Sequence, residues 1–235
     1  MSKYEVRSLN GKQAIFDENG NQISDWFDWI WEDGLVEGTS NYYIAKKNGE
    51  RAIFEKSGRQ VSEWFDFVLP DGLVKGQSNY FIAEKNKKLA IFDENGKQVS
   101  EWLDGVWPYG LVQGKSEYYI AVKNEKWAIF NKAGKQVSGW FDIILPEGLV
   151  KGENDFFFAK KNGQWAVYHK SGLKLFEVKK GEICNREKRK EVFEKAKKVF
   201  LQNSEPKEEK RKIILDDLEV GNSAGKPKQK TMFKP

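Results

Sequence analysis

The sequence repeats itself every 38 residues, and that period constrains the fold more than any other feature. Ala14-Ile15-Phe16 returns as Ala52-Ile53-Phe54, Ala90-Ile91-Phe92 and Ala128-Ile129-Phe130, with a fifth copy reading Ala166-Val167-Tyr168. A glycine lies four residues beyond the aromatic in every copy: Gly20, Gly58, Gly96, Gly134 and Gly172. Trp26-Phe27-Asp28, Trp64-Phe65-Asp66, Trp102-Leu103-Asp104 and Trp140-Phe141-Asp142 follow, and then Gly-Leu-Val starting at Gly34, Gly72, Gly110 and Gly148. Agreement among copies inside one chain points to a shared backbone, stacked so that neighbours bury what one unit cannot.

The period within a unit is that of β-structure. In the second copy, β-forming residues predict strand a over 42–45 and strand b over 52–54. A longer, bulged strand c is predicted over 60–69 and a short strand d over 73–74. Asn10, Asn48, Asn86, Asn124 and Asn162 recur between a and b, where Asn suits the left-handed position of a three-residue hairpin loop. Consecutive apolar residues in strand a predict burial on both faces. The expected fold is therefore all-β: tandem 38-residue four-stranded repeats in a β-propeller-like or open β-solenoid array, followed by a short α-helical tail. The fifth copy runs out at Leu173-Lys174-Leu175-Phe176 before a strand d, which makes an open, capped array a rival to a closed ring.

Lys126-Trp127-Ala128-Ile129-Phe130, Lys132-Ala133-Gly134-Lys135, Trp140-Phe141-Asp142 and Glu147-Gly148-Leu149 together resemble bacterial WG repeats, over about residues 4–176. The family's glycine is alanine in every copy here. Its tryptophan survives as Trp127 and Trp165, with Gln13, Arg51 and Leu89 elsewhere, so the units are divergent. The resemblance implies β-repeat modules that mediate interactions and supplies no catalytic residue.

The residues argue against chemistry, and no enzyme activity, metal or cofactor is expected. Asp17-Glu18-Asn19-Gly20 and Asp93-Glu94-Asn95-Gly96 look like calcium-loop fragments. The equivalent Glu55-Lys56-Ser57-Gly58 and Asn131-Lys132-Ala133-Gly134 show that a hairpin turn explains all of them. His169 and Cys184 are the only histidine and cysteine, so zinc sites and Cys/His nucleophiles lack partners. His169 reads as a solvated turn residue. Asp28, Asp66, Asp104 and Asp142 occupy equivalent positions, which suits a repeated backbone acceptor better than catalytic carboxylates needing distinct environments. No run reaches eighteen apolar residues and no apolar leader opens the chain, so neither a membrane span nor a secretory signal is expected. A single cysteine permits no internal disulfide, and a cytoplasmic monomer is the expectation.

Charge divides the chain. Residues 179–235 hold 17 Lys/Arg against 10 Asp/Glu, a net of +7, whereas residues 1–178 hold 23 against 25, a net of −2. The expected organisation is a repeat array over 1–178, a basic helical segment over 179–220 and a disordered tail over 221–235. Asn185 is placed to cap a helix over 186–202 with Val192, Phe193, Ala196, Val199 and Phe200 on one face. A second helical stretch is expected over 204–219. The first helix is a cap for the last repeat, a partner-binding helix, or a basic arm.

Copies diverge at Trp29, Phe67, Gly105 and Ile143, and at Trp31, Leu69, Trp107 and Leu145. Uniform positions serve the backbone, so these variable ones are where a partner would be read. The leading expectation is a non-catalytic scaffold that binds a protein through its repeat surface, with Trp29, Trp31, Phe67 and Trp107 as contacts. Two alternatives stand beside it. One is nucleic-acid binding, weak and salt-sensitive, through Arg186, Lys188, Arg189, Lys190, Lys197 and Lys198. The other is an inhibitor or immunity-type protein that blocks one macromolecular target.

Overall fold

The computed structural model describes residues 3–204. The predicted extents 205–220 and 221–235, including the second helical stretch, lie outside them. Each unit opens with an antiparallel hairpin. These are β1 (Tyr4–Leu9) with β2 (Lys12–Asp17), β4 (Tyr42–Lys47) with β5 (Glu50–Glu55), and β7 (Tyr80–Lys85) with β8 (Lys88–Asp93). The fourth and fifth pairs are β10 (Tyr118–Lys123) with β11 (Lys126–Asn131), and β13 (Phe156–Lys161) with β14 (Gln164–His169). Register runs straight to the ends, as in Lys47 opposite Glu50, so the loop has two residues, one fewer than the sequence predicted. Both sit at positive φ: Asn48 at 54° and Gly49 at 91°. Such primed turns match the twist of the strands. Lys87 and Glu125 hold the second position at φ 62°, a conformation that costs a side-chain-bearing residue on the order of 1 kcal/mol.

The third segment departs from the expected long strand c. It divides its pairing between two units. Gln60 and Phe65 bridge back to Phe54 and Arg51 of their own hairpin. Two residues later β6 (Phe67–Val68) pairs with Glu84 and Ala83 of the next unit. The short strands β3 (Trp29–Ile30), β9 (Gly105–Val106) and β12 (Ile143–Ile144) do the same at the other joints. Strand a of units two to five is thus flanked on both sides, and its middle residues, such as Tyr43, Ile44 and Ala45, are buried.

The predicted strand d is a hydrogen-bonded turn. Leu73 N–H donates to the Tyr80 carbonyl, Gln77 N–H to Gly72 and Gly76 N–H to Leu73, which curls the segment and drives Leu73 and Val74 into the core. Leucine and valine are there for burial, with no ladder to join. The sheets of the first three joints consequently have three strands, not four. The first unit contributes a two-stranded sheet. The last sheet has four, because the fifth copy gains β15 (Lys174–Val178), which pairs with β14 through a bulge at Val167 and Tyr168. The series does not close: among the described residues β1 pairs only with β2, and β15 only with β14.

Helix α1 (Arg186–Ser204) follows a 3-10 turn at Lys180–Glu182. Asn185 caps it, its Oδ1 accepting the Lys188 N–H at 2.9 Å. Val192, Phe193 and Ala196 are buried against Phe156, Phe158, Val167 and Val178. Phe193 lies 4.4 Å from Phe158 by ring centroids, and its ring reaches the space above Gly148. At Gly34 and Gly110 that space holds the next unit's Val74 or Val150 carbonyl. The helix therefore stands in for a sixth unit. Burying these apolar side chains contributes several kcal/mol, at about 1.5–3 kcal/mol for each large one.

Units touch so closely that the same turn is tight inside the array and open at its end. A methyl group added to Gly38 would meet nothing within 4 Å, whereas one added to Gly114 would run into the Gln77 carbonyl; φ is 77° and 66°. Gly38→Ala is expected to cost on the order of 1 kcal/mol for the positive φ alone. Gly114→Ala is expected to cost roughly 1–3 kcal/mol more from the collision. Urea unfolding of the two variants checks this; equal losses would mean that the units do not touch there.

Candidate binding surface

The repeated aspartates explain how each joint holds its register. Asp28 Oδ2 accepts the Asn48 N–H at 2.7 Å, Asp66 the Asn86 N–H at 2.7 Å and Asp104 the Asn124 N–H at 2.7 Å. Each carboxylate thereby fixes the hairpin turn of the unit that follows. Lys12 and Lys88 bind the other oxygen of Asp28 and Asp104. The lysine, and then the turn N–H, hold both carboxyls below the usual aspartate range. Asp17 is likewise occupied: its Oδ1 accepts the Asn19 and Asn21 N–H groups in a side-chain turn. A second inter-unit tie, missed in the sequence, is serine: Ser40, Ser78 and Ser116 hydroxyls donate to the Val74, Val112 and Val150 carbonyls of the next unit at 2.6–2.7 Å. The signal was present in the 38-residue recurrence of Ser40, Ser78 and Ser116.

Fixing the joint fixes what projects from it. Trp29, Phe67, Gly105 and Ile143 occupy the first position of the joint strands, opposite Lys46, Glu84, Val122 and Lys160. Two residues on stand Trp31, Leu69, Trp107 and Leu145, which share that face. Exposure separates them. Trp29 is 52% exposed, Trp107 38% and Phe67 37%. Trp31 is half-buried and packs on the core of the second and third units, so its truncation carries a stability cost that a surface residue would not.

The structure brings these residues into two clusters. Arg51 lies with its guanidinium carbon 5.1 Å from the Trp31 ring and 4.3 Å from the Phe67 ring. Trp107 stacks between Trp127 at 5.4 Å and Tyr109 at 5.9 Å, and Lys151 lies 5.9 Å from Tyr109. Leu69 and Leu89, both half-buried, lie between the clusters in the repeat order. Sequence reasoning did not include Arg51 or Trp127 in the surface, because contacts between position 13 of one unit and position 31 of the previous one are invisible until the joint is known; Tyr109, stacked on Trp107 within its own unit, was also left out.

The basic helix is differently employed. Arg189 donates to the Ile183 carbonyl at 2.9 Å and lies 3.7 Å from Glu147; Arg186 lies 3.9 Å from Glu153. Lys188 donates to the Gly181 carbonyl. Lys190, Lys197 and Lys198 are exposed. Arg186 and Arg189 thus tie the helix to the array, and Lys188 ties it to the turn before it.

Comparison with known proteins adds little. No family model matches the sequence, and no curated protein matches it. Among solved structures the chain is similar to Hsv2 of Kluyveromyces lactis, at 10% identity over 76% of this chain and 61% of that one, with a TM-score of 0.35. Hsv2 with its complete loop 6CD gives 9%, 75%, 59% and 0.35. The form with that loop replaced by a Gly-Ser linker gives 10%, 75%, 65% and 0.36. The chain therefore spans less than two thirds of the length of each. Among the described residues no helix is long and apolar enough to cross a membrane.

His169 departs from the solvated turn expected of it. It is 8% exposed, stacked on Phe200 of α1 at 3.9 Å, with Nδ1 2.9 Å from the Ser171 hydroxyl. Burial pushes its pKa down from the ordinary histidine value; Asp155 opposes this and Lys170 adds to it. The unfolded chain binds the proton more tightly, so stability from this contact is complete above about pH 6.5 and is lost as pH falls through that value toward the folded pKa. The melting temperature should fall between pH 7 and pH 5.5. It should fall less in His169→Asn, which copies the turn residue Asn131. Parallel slopes in scanning calorimetry would show that the imidazole is not buried by the helix.

Proposed function

We propose that this chain is a non-catalytic interaction module, built of divergent WG-like units, that binds a protein partner through the aromatic strip along its joints. One observation carries the reading. Of the six large apolar side chains exposed among the described residues, three belong to the joint segments: Trp29 and Phe67 at the first position of β3 and β6, and Trp107 just past β9. Exposed aromatics grouped in this way mark interaction sites, and tryptophan is the residue most enriched where binding energy concentrates. The strip is rigid, because every member sits beside an aspartate-pinned turn, so little ordering is lost on binding. The repeated carboxylates are occupied by backbone N–H groups and lysines. A nucleic-acid reading has less support: Arg186 and Arg189 face Glu153 and Glu147.

Affinity capture from a lysate with the full chain, read by mass spectrometry, identifies the partner. Trp29→Ala and Trp107→Ala are expected to leave the melting temperature within a few degrees and to weaken that partner by on the order of 2–4 kcal/mol each. Trp31→Ala is expected to lower stability as well. Retention of the same partner by both exposed-tryptophan variants would overturn the strip as the binding surface.

A further inference from the structure

The strip is not uniform along its length, and its difference is one of charge. At the row where β3, β4 and β5 pair, Trp29 stands opposite Lys46 and Lys46 opposite Arg51. The corresponding rows read Phe67-Glu84-Leu89, Gly105-Val122-Trp127 and Ile143-Lys160-Trp165. Only the first places two cations directly opposite each other, an arrangement that costs stability in a sheet. Among the described residues neither Lys46 nor Arg51 forms an ion pair. Asp28 is near enough to feel Lys46, yet its oxygens are committed to Lys12 and the Asn48 N–H. Arg51 is held between Trp31 and Phe67, it donates to the Asp66 carbonyl at 3.2 Å, and its Nε is buried without a partner. A pair of cations is thus set in an aromatic frame with no countercharge of its own.

We infer that this end of the strip is a binding site for an acidic peptide segment, with a carboxylate seated against Lys46 and Arg51 and its apolar neighbours laid on Trp29, Trp31 and Phe67. The inference rests on the reading of the strip as a protein-binding surface. A carboxylate suits a guanidinium that flanking rings already hold in place, and Lys46 stands opposite it in the same row. The surroundings select a single anionic group over a polyanion. Asp28, Glu32 and Asp33 flank Trp29 and Trp31 in the chain, and Glu84 stands opposite Phe67. Residues 1–178 carry a net charge of −2, so a phosphate backbone would meet repulsion on either side. Leu89 and Val122 stand in the equivalent rows of the following units, with Glu84 beside Leu89, and offer apolar surface to the rest of the segment.

The test uses the full chain and an array of immobilised 12-residue peptides of Leu, Phe, Gly and Ser in which one central position is Glu, Gln or Lys. The Glu series is expected to bind at least about tenfold more tightly than the Gln series, and the Lys series to fail. Lys46→Glu, a change at a half-exposed strand end, is expected to reverse that order while the circular dichroism spectrum stays unchanged. Equal binding of the Glu and Gln series, or an order that Lys46→Glu leaves intact, overturns the inference. So does tighter binding of a 12-residue oligothymidylate than of the Glu series. If Trp29→Ala and Trp107→Ala lose the captured partner while the array shows no charge preference, the strip stands and the acidic ligand falls. A Lys46-dependent Glu preference alongside a partner retained by both variants supports the anion site and removes the strip.

Discussion

Each joint in this protein is made by one short segment that belongs to two units at once. Residues such as 60–65 finish one hairpin, and Phe67 and Val68 begin the next sheet. The aspartate between them decides where the change occurs, because its carboxylate accepts the N–H of a turn that exists only in the following unit. Phe27, Phe65 and Phe141 reinforce the change by packing on Phe54, Phe92 and Tyr168 of the next unit, at 4.8–5.0 Å between centroids. Such stability is shared between neighbours, so a unit removed from the series loses the partner strand for its own strand a.

That logic makes the two ends costly, and they are finished by different means. At the far end α1 supplies the apolar surface that a sixth unit would have brought, down to the ring of Phe193 above Gly148. At the near end the strand itself is altered. Where β4 has buried Tyr43 and Ala45, β1 has Glu5 and Arg7, which pair with each other. Arg7 also lies 4.4 Å over Phe16, on a ring whose counterpart Phe54 is covered by the preceding unit's Phe27. Charged side chains on an open edge discourage another strand from adding there. Head-to-tail growth is thereby disfavoured at both ends of the described array.

The period, the hairpins, the glycine positions and the cap of α1 were legible in the sequence, because each depends on residues within one copy or one turn. What depended on pairing between copies was not. Strand c read as continuous since its alternation survives the switch from one unit to the next, and no local residue announces that its hydrogen bonds change hands. Leu73 and Val74 read as a strand because burial and strand propensity favour the same residues; their curl is set by Tyr80, seven residues away. His169 looked solvated because its neighbours in sequence are polar, while the surface that covers it, Phe200, arrives 31 residues later.

The same distinction explains why the strip could be located but its composition only half described. Trp29, Trp31, Phe67 and Trp107 stand out by their departure from the repeat. Arg51 and Trp127 complete the clusters through contacts to Trp31 and Trp107 that cross a joint, and Tyr109 joins by stacking on Trp107 within its own unit. In an array whose backbone is held by Asp, Ser and Gly at fixed intervals, the side chains between those intervals are free to vary without endangering the fold. Variation then accumulates where it faces solvent, and along one row it has placed two cations among aromatic rings at some cost to the sheet. A cost of that kind, at a position where three sister rows avoid it, is what a surface retained for a ligand would show.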